Sequence, residues 1–282
     1  MSDWGQGTLN NNIGWGQGSI NNSIGWGSVY DDSWSGDTNI EGGLAAVTKK
    51  IVNDNQGSLF LPVLGYVYTN TAGTTLAAVG DKVALIKCFA GSGKTGVQSN
   101  VANQAVLRVD EDGIYYLDPN GANCFYVTDC TGSGVEQVTM VGRGLTTGYG
   151  KIYAGCFKLL DNSRSYFGAR DTLLDGKIGA GMDGVQWSTL NANEGWTTDK
   201  VVAVSRSATQ AKLYVNGTLV DTETISGVGS SLNAYLMAGN FDGVAMDYWS
   251  GRWYGLVGTL ATLSATDIAT IGEFFNEGNV AV

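Results

Sequence analysis

KLYVNGTLV, Lys212 to Val220, is the stretch whose reading decides the fold. Leu213 and Val215 alternate with Lys212 and Tyr214, the period-two pattern of a strand with one buried face. Asn216-Gly217 then supplies the two positive φ angles that a two-residue type I′ turn needs, and Thr218-Leu219-Val220 resumes the β-rich pattern. The segment reads as a β-hairpin.

Outward from it, short apolar or alternating runs recur at roughly ten-residue spacing, each bounded by Gly, Asn or Asp. They are Leu59 to Thr69, Lys82 to Phe89, Ala105 to Val109, Gly113 to Leu117, Phe125 to Thr128 and Val135 to Val141. Lys151 to Leu159, Val201 to Arg206, Ala234 to Gly239 and Gly251 to Leu260 complete the set. Such a run of strands predicts an all-β, two-sheet antiparallel jelly-roll sandwich. One helix is predicted at the end: Ser264 as N-cap with Asp267 in the capping position, Leu263 stapling to Ile268, and Ile268, Ile271, Phe274 and Phe275 on one face before Gly278.

Composition agrees with tight turns joining strands. The 282 residues include 42 Gly, only 2 Pro and 15% charged residues. The net charge of −10 argues against nucleic acid or an anionic membrane as partner, since both need a basic footprint. Histidine is absent, which removes Ser-His-Asp and Cys-His catalysis and His-ligated metal. Cys88, Cys124, Cys130 and Cys156 form no Cys-x-x-Cys pair and read as buried free thiols. No long apolar run and no basic-then-apolar leader is present, so neither a membrane span nor a secretory signal is expected.

Residues 1–40 are a different material. Trp4, Trp15 and Trp26 recur every eleven residues, and WGQGTLNNNIG, WGQGSINNSIG and WGSVYDDSWSG align without gaps. Leu9 and Ile20 stand five residues after their Trp, Ile13 and Ile24 nine after, and Trp34 closes the third unit. Two or three such units enclose no core of their own. Trp is the residue most enriched at interface anchors, so the segment reads as an extended arm docking each Trp in a partner's pocket. Residues 41–60 follow as a linker, with LAAVTKKIV (Leu44 to Val52) a short helix or strand, and residues 61–282 form the sandwich.

Two stretches resemble the laminin-G/concanavalin-like domains of phage structural proteins. The first is Gly80 to Val127, with its Gly-Asp start, Gly-x-Gly turn and Asp-Gly hairpin. The second is KLYVNGTLVDTE, YLMAGNFDG and GLVGTLATLSATDIATIGEFFNEG, with its Asn-Gly hairpin and terminal Leu-Ser-x-x-Asp-Ile helix. The WGQG…NNxIGWG arm resembles N-terminal segments of phage head-fibre and tail-fibre proteins. The resemblance implies a structural virion protein assembled in the host cytoplasm: a head-fibre-like capsid decoration, or alternatively a tail-fibre-associated subunit. Its implied partners are capsid or other virion proteins bound through residues 1–40, further copies of itself as a dimer or trimer, and host-surface glycans. A glycan-binding lectin outside any virion is the alternative from another class.

Three motifs carry competing readings. Gly91-Ser92-Gly93-Lys94-Thr95 invites a phosphate-loop reading, but Cys88 occupies the position of the motif's first Gly and no helical pattern follows; a hairpin turn is expected. Asp110-Glu111-Asp112-Gly113, like Asp171, Asp175 and Asp183, offers oxygen ligands for Ca²⁺; solvated turns are preferred, with no cofactor expected. The Glu-x-Asp-x-x-Glu string of jelly-roll glycosidases is missing, so no enzyme activity is expected. Finally, Tyr248, Trp249, Trp253 and Tyr254 put adjacent aromatics on opposite strand faces, predicting that at least one is exposed as a glycan or partner contact.

Overall fold

A computed structural model describes residues 43–278 apart from 91–92, 120–121, 132–137, 147–150, 159–162, 170–176, 182–189, 226–232 and 242. Helix α1 (Leu44–Asp54) comes first. It is followed by β1 (Ser58–Phe60), β2 (Val67–Tyr68), β3 (Leu85–Ala90), β4 (Thr95–Val97), β5 (Val106–Val109), β6 (Tyr115–Asp118) and β7 (Tyr126–Thr131). The middle holds β8 (Val138–Leu145), β9 (Lys151–Lys158), β10 (Ser163–Ala169), β11 (Lys177–Gly181), β12 (Leu190–Gly195), β13 (Lys200–Arg206), β14 (Gln210–Val215) and β15 (Thr218–Thr224). The last part is β16 (Asn233–Leu236), β17 (Gly239–Phe241), β18 (Val244–Met246), β19 (Arg252–Thr259) and α2 (Ala265–Glu273), which runs on into a π-helical turn, Phe274–Gly278.

The strands form two sheets. The first runs β15–β14–β13–β8–β19, and β19 then pairs along its other edge with β6 at Trp253 and with β1 at Leu256 to Gly258. Beyond those lie β5 and the end of β3. The second runs β2–β3–β4–β7–β16–β9–β10–β11–β12. Here β17 also lies along β9, in parallel, and folds back as β18. Strand β3 belongs to both sheets, Leu85 to Lys87 pairing in the second and Cys88 and Ala90 in the first. The chain is thus an all-β, predominantly antiparallel two-sheet sandwich with two short helices.

Tyr153 of β9 locks the sheets face to face. Its hydroxyl oxygen lies 2.6 Å from the carbonyl oxygens of Arg143 on β8 and Gly255 on β19. Gly142 and Gly144 make room for the ring, since a Cβ on either would stand 2.4 Å or 2.6 Å from it. Phe167, Trp196, Trp249 and Trp253 pack around it with centroids 5.0–5.8 Å away. Each of these side chains is essentially inaccessible to water, and aromatic burial on this scale dominates a core.

A third layer covers the outer face of the first sheet. Gly272 of α2 sits over Val201, Phe275 stands over Gly255, and Phe274 stacks on Phe89 at 6.4 Å. The capping box at Ser264 forms as the sequence predicts: Ser264 Oγ accepts the Asp267 N–H at 3.1 Å and donates to Asp267 Oδ2 at 2.7 Å. Ile268, Ile271, Phe274 and Phe275 are all buried. The predicted hairpin is present too, with φ of 47° at Asn216 and 77° at Gly217, and Val215 opposite Thr218.

Residues 41–60 are not the linker expected. Leu44–Asp54 is a helix that buries Ala45, Ala46, Thr48 and Val52, and Ser58–Phe60 is a strand held between β3 and β19. An amphipathic run of three turns carrying Lys49 and Lys50 resembles a solvated segment until the sheet it covers is known. The helix ends where Gly57 N–H donates to the Val52 carbonyl at 2.7 Å.

Candidate functional site

Whereas helices cover the first sheet, the outer face of the second sheet is open at β4, β7 and β16. On β7 the side chains alternate: Tyr126 and Thr128 are buried, while Phe125 is half-buried and Val127 and Asp129 are exposed. Tyr126 points inward, its hydroxyl donating to the Val83 carbonyl at 2.7 Å and accepting the Ala105 N–H at 3.2 Å. Burial raises its pKa well above the usual phenol value. Register places Val97, Val127 and Tyr235 in one row across three strands. Cross-strand partners share a face, so the row is an apolar stripe facing out of the sandwich.

Aromatic rings extend the stripe. Phe125 lies against Tyr235 with centroids 5.2 Å apart and against Tyr248 at 6.0 Å. The β17–β18 hairpin borders this group: Tyr235 donates to the Gly243 carbonyl at 3.2 Å and Tyr248 to that of Ala245 at 2.8 Å. It adds Val244, 61% exposed, and Met246, 46% exposed. Both ends of the hairpin are held in left-handed backbone, at Met237 (φ 62°) and Asp247 (φ 54°). A side-chain-bearing residue there is strained, and such strain persists where the surroundings over-determine it, commonly at ligand-binding segments. Here the determinants are two hydrogen bonds of 2.7 Å, from Ile152 N–H to the Asp247 carbonyl and from Trp249 N–H to the Met237 carbonyl. The clamp fixes where Tyr248 stands.

Charge around the patch is acidic. Asp129 is the next outward residue on β7 after Val127, and its Oδ1 accepts the Thr95 N–H at 3.0 Å. Asp247 adjoins Tyr248; protein packed around its carboxyl pushes the pKa above the usual value, and Lys151 draws it back down.

Of the four late aromatics named from sequence, the structure leaves only Tyr248 on this surface. Trp249 and Trp253 belong to the inter-sheet core around Tyr153. Tyr254 does face the other way from Trp253, as alternation requires, but it is covered there. Arg143 lies over its ring at 4.2 Å, and its hydroxyl sits 2.9 Å from Asp110 Oδ2 and 2.8 Å from Asp199 Oδ2. Arg252 donates to the same hydroxyl at 3.2 Å and pairs with Glu111 at 3.3 Å. The expected exposure of Trp249, Trp253 and Tyr254 is therefore corrected: a sandwich with a helical third layer buries both faces of β19. Phe125 and Tyr235 were missed, although alternation about Tyr126 marks Phe125 as outward.

The other sequence readings fall as follows. Gly91 to Thr95 joins β3 to β4, which pair antiparallel, so the hairpin reading stands over a phosphate loop. Asp110 to Gly113 is a turn in which Asp110 Oδ1 accepts the N–H groups of Asp112 and Ile114, and Gly113 takes φ 82°. Among the described residues no group of three or more acidic or Cys side chains could hold a metal, and no helix is long and apolar enough to cross a membrane. Cys88 and Cys124 are free thiols, Cys124 fully buried. Asp171, Asp175 and Asp183 lie outside the described residues, as do Trp4, Leu9, Ile13, Trp15, Ile20, Ile24, Trp26 and Trp34.

No protein-family model matches the sequence, and no curated protein does. Solved structures do match. The binding domain of botulinum neurotoxin DC, in complex with rat synaptotagmin II, aligns with a TM-score of 0.51 at 13% identity, covering 81% of this chain and 55% of that one. The receptor-binding domain of the botulinum neurotoxin C/D mosaic serotype aligns at 0.44 and 14% identity over 63% and 48%. The Ruminococcus gnavus IT-sialidase CBM40 bound to α2,3 sialyllactose aligns at 0.39 and 19% identity over 50% and 84%. This chain spans about half the length of the toxin domains. At such identities the likeness establishes the sandwich fold alone.

Proposed function

We propose that this chain is a non-enzymatic attachment protein of a bacteriophage particle, gripping a glycan with the open face of its second sheet and held to the virion by its Trp-Gly-Asn repeats. The observation that carries the binding half is the three-ring group of Phe125, Tyr235 and Tyr248 on an uncovered sheet face, steadied by a strained hairpin. Aromatic faces stack on the C–H faces of sugar rings, and a rigid, half-buried ring loses little entropy in doing so. Support of a weaker kind comes from the fold's occurrence in a toxin binding domain and in a sialidase CBM40. The virion half rests on the eleven-residue Trp repeat and on the resemblance of that arm to fibre N-termini. A head-fibre position is favoured over a tail-fibre one by that resemblance.

The test is a glycan array probed with the full chain. Binding to at least one saccharide class is expected, weakened about ten-fold or more by Tyr248→Ala, in line with the ~1–3 kcal/mol typical of an interface aromatic. A chain that stays folded and binds no saccharide would remove the glycan role.

A further inference from the structure

The charges bordering the aromatic patch say which glycans it can take. Stacking on Phe125 and Tyr248 is indifferent to sugar identity, so selectivity must come from the rim. Two carboxylates stand there, Asp129 on β7 and Asp247 beside Tyr248. The one described cation close to either is Lys151, already drawn toward Asp247. The described arginine side chains belong to the other sheet: Arg108 on β5 pairs with Asp118, Arg206 is buried on β13, and Arg143 and Arg252 serve the Tyr254 network. A sugar acid docked on the rings would bring its carboxylate toward like charge with no guanidinium fork to receive it, against a whole-chain charge of −10. A neutral pyranose meets no such penalty, and its hydroxyls can donate to carboxylate oxygens at the rim.

Resting on the glycan reading above, we infer that the patch selects neutral hexose or deoxyhexose residues and discriminates against sialic and uronic acids by charge. This separates the site from that of the sialyllactose-bound CBM40, which shares only its fold.

The experiment is calorimetric titration of the full chain with two probes matched in their neutral core, lactose and α2,3 sialyllactose, beside a neutral panel of manno-, gluco- and galacto-oligosaccharides and polygalacturonate. Neutral ligands are expected to bind, and the acidic ones at least ten-fold more weakly at low salt. The gap should shrink as salt screens the carboxylates. Asp247→Asn should narrow the gap several-fold; Asn tolerates the left-handed backbone there, so the variant keeps the fold. Val244→Lys, at a 61% exposed position that carries no core contact, should narrow it again.

Sialyllactose or polygalacturonate binding as tightly as the neutral set, and lost in Tyr248→Ala, would overturn the charge selection while leaving the glycan role intact. Neutral binding indifferent to Tyr248→Ala would overturn the site. No binding to any saccharide would overturn both readings together.

Discussion

Tyr153 shows how much one side chain can settle. It crosses the sandwich, and its hydroxyl proton serves backbone carbonyls of two different strands where no water reaches. Burial, the largest influence, raises its pKa well above that of a free phenol, and the same holds for Tyr126. In the unfolded chain both ionise near the ordinary value of about 10. The folded pKa is thus the higher of the two, so the stability contributed is complete below about pH 10 and is lost as pH rises beyond it. Ultraviolet titration should show exposed tyrosines ionising first with near-ultraviolet circular dichroism unchanged, and the last two tyrosinates appearing only as that signal collapses. Full tyrosinate amplitude in a still-folded protein would contradict this. At this scale the sequence was least legible. Trp253 and Tyr254 are neighbours of similar type, and nothing local says that one faces an aromatic core and the other a cluster of arginines and carboxylates.

Elements with local determinants could be read directly. The Asn216-Gly217 hairpin and the Ser264 cap depend on residues within a few positions of each other, and both form as expected. Strands β10 (SRSYFGA), β11 (KIGAG) and β12 (LNANEG) could not, because their Gly, Ser and Asn content carries little strand preference and pairing with distant partners decides them. Helix α1 was misjudged for the related reason that its apolar face has meaning only against β1 and β3. That error has a measurable consequence. A chain beginning at Leu61 lacks α1 and β1 and leaves the pockets of Val52, Leu59 and Phe60, each at most 1% exposed, empty. At about 1.5–3 kcal/mol per buried side chain, the loss is comparable with the whole stability of a domain, about 5–15 kcal/mol. A chain beginning at Gly43 should therefore melt cooperatively, and one beginning at Leu61 should not fold. A cooperative transition in the shorter chain would show β1 to be dispensable.

For the whole molecule, the decisive asymmetry is that one sheet is roofed by helices and the other is bare. A partner of any size meets the bare side. The repeat segment is a separate matter of sequence: Trp4, Trp15 and Trp26 each offer a large apolar surface, typically worth a few kcal/mol (about 2–3) when buried at an interface. Replacing all three with Ala should abolish incorporation into particles, read by mass spectrometry of purified virions, while the melting temperature stays within about two degrees of the parent's because these positions precede the sandwich. Normal copy number in the triple variant would move the anchor elsewhere.

The pairing of β1 with β19 also imposes a schedule. Ser58 lies opposite Gly258, two hundred positions later in the chain. At the usual pace of synthesis, roughly 5–20 residues per second, about 10–40 s pass between the emergence of the two. Throughout that interval β1 can lie against β3 but has nothing on its other side, and Leu59 and Phe60 wait without their final neighbours. Completion of the fold is thus post-translational by geometry. The nascent chain is exposed to mispairing with its neighbours on the same messenger for most of its own synthesis, a hazard that grows with every ribosome translating in parallel.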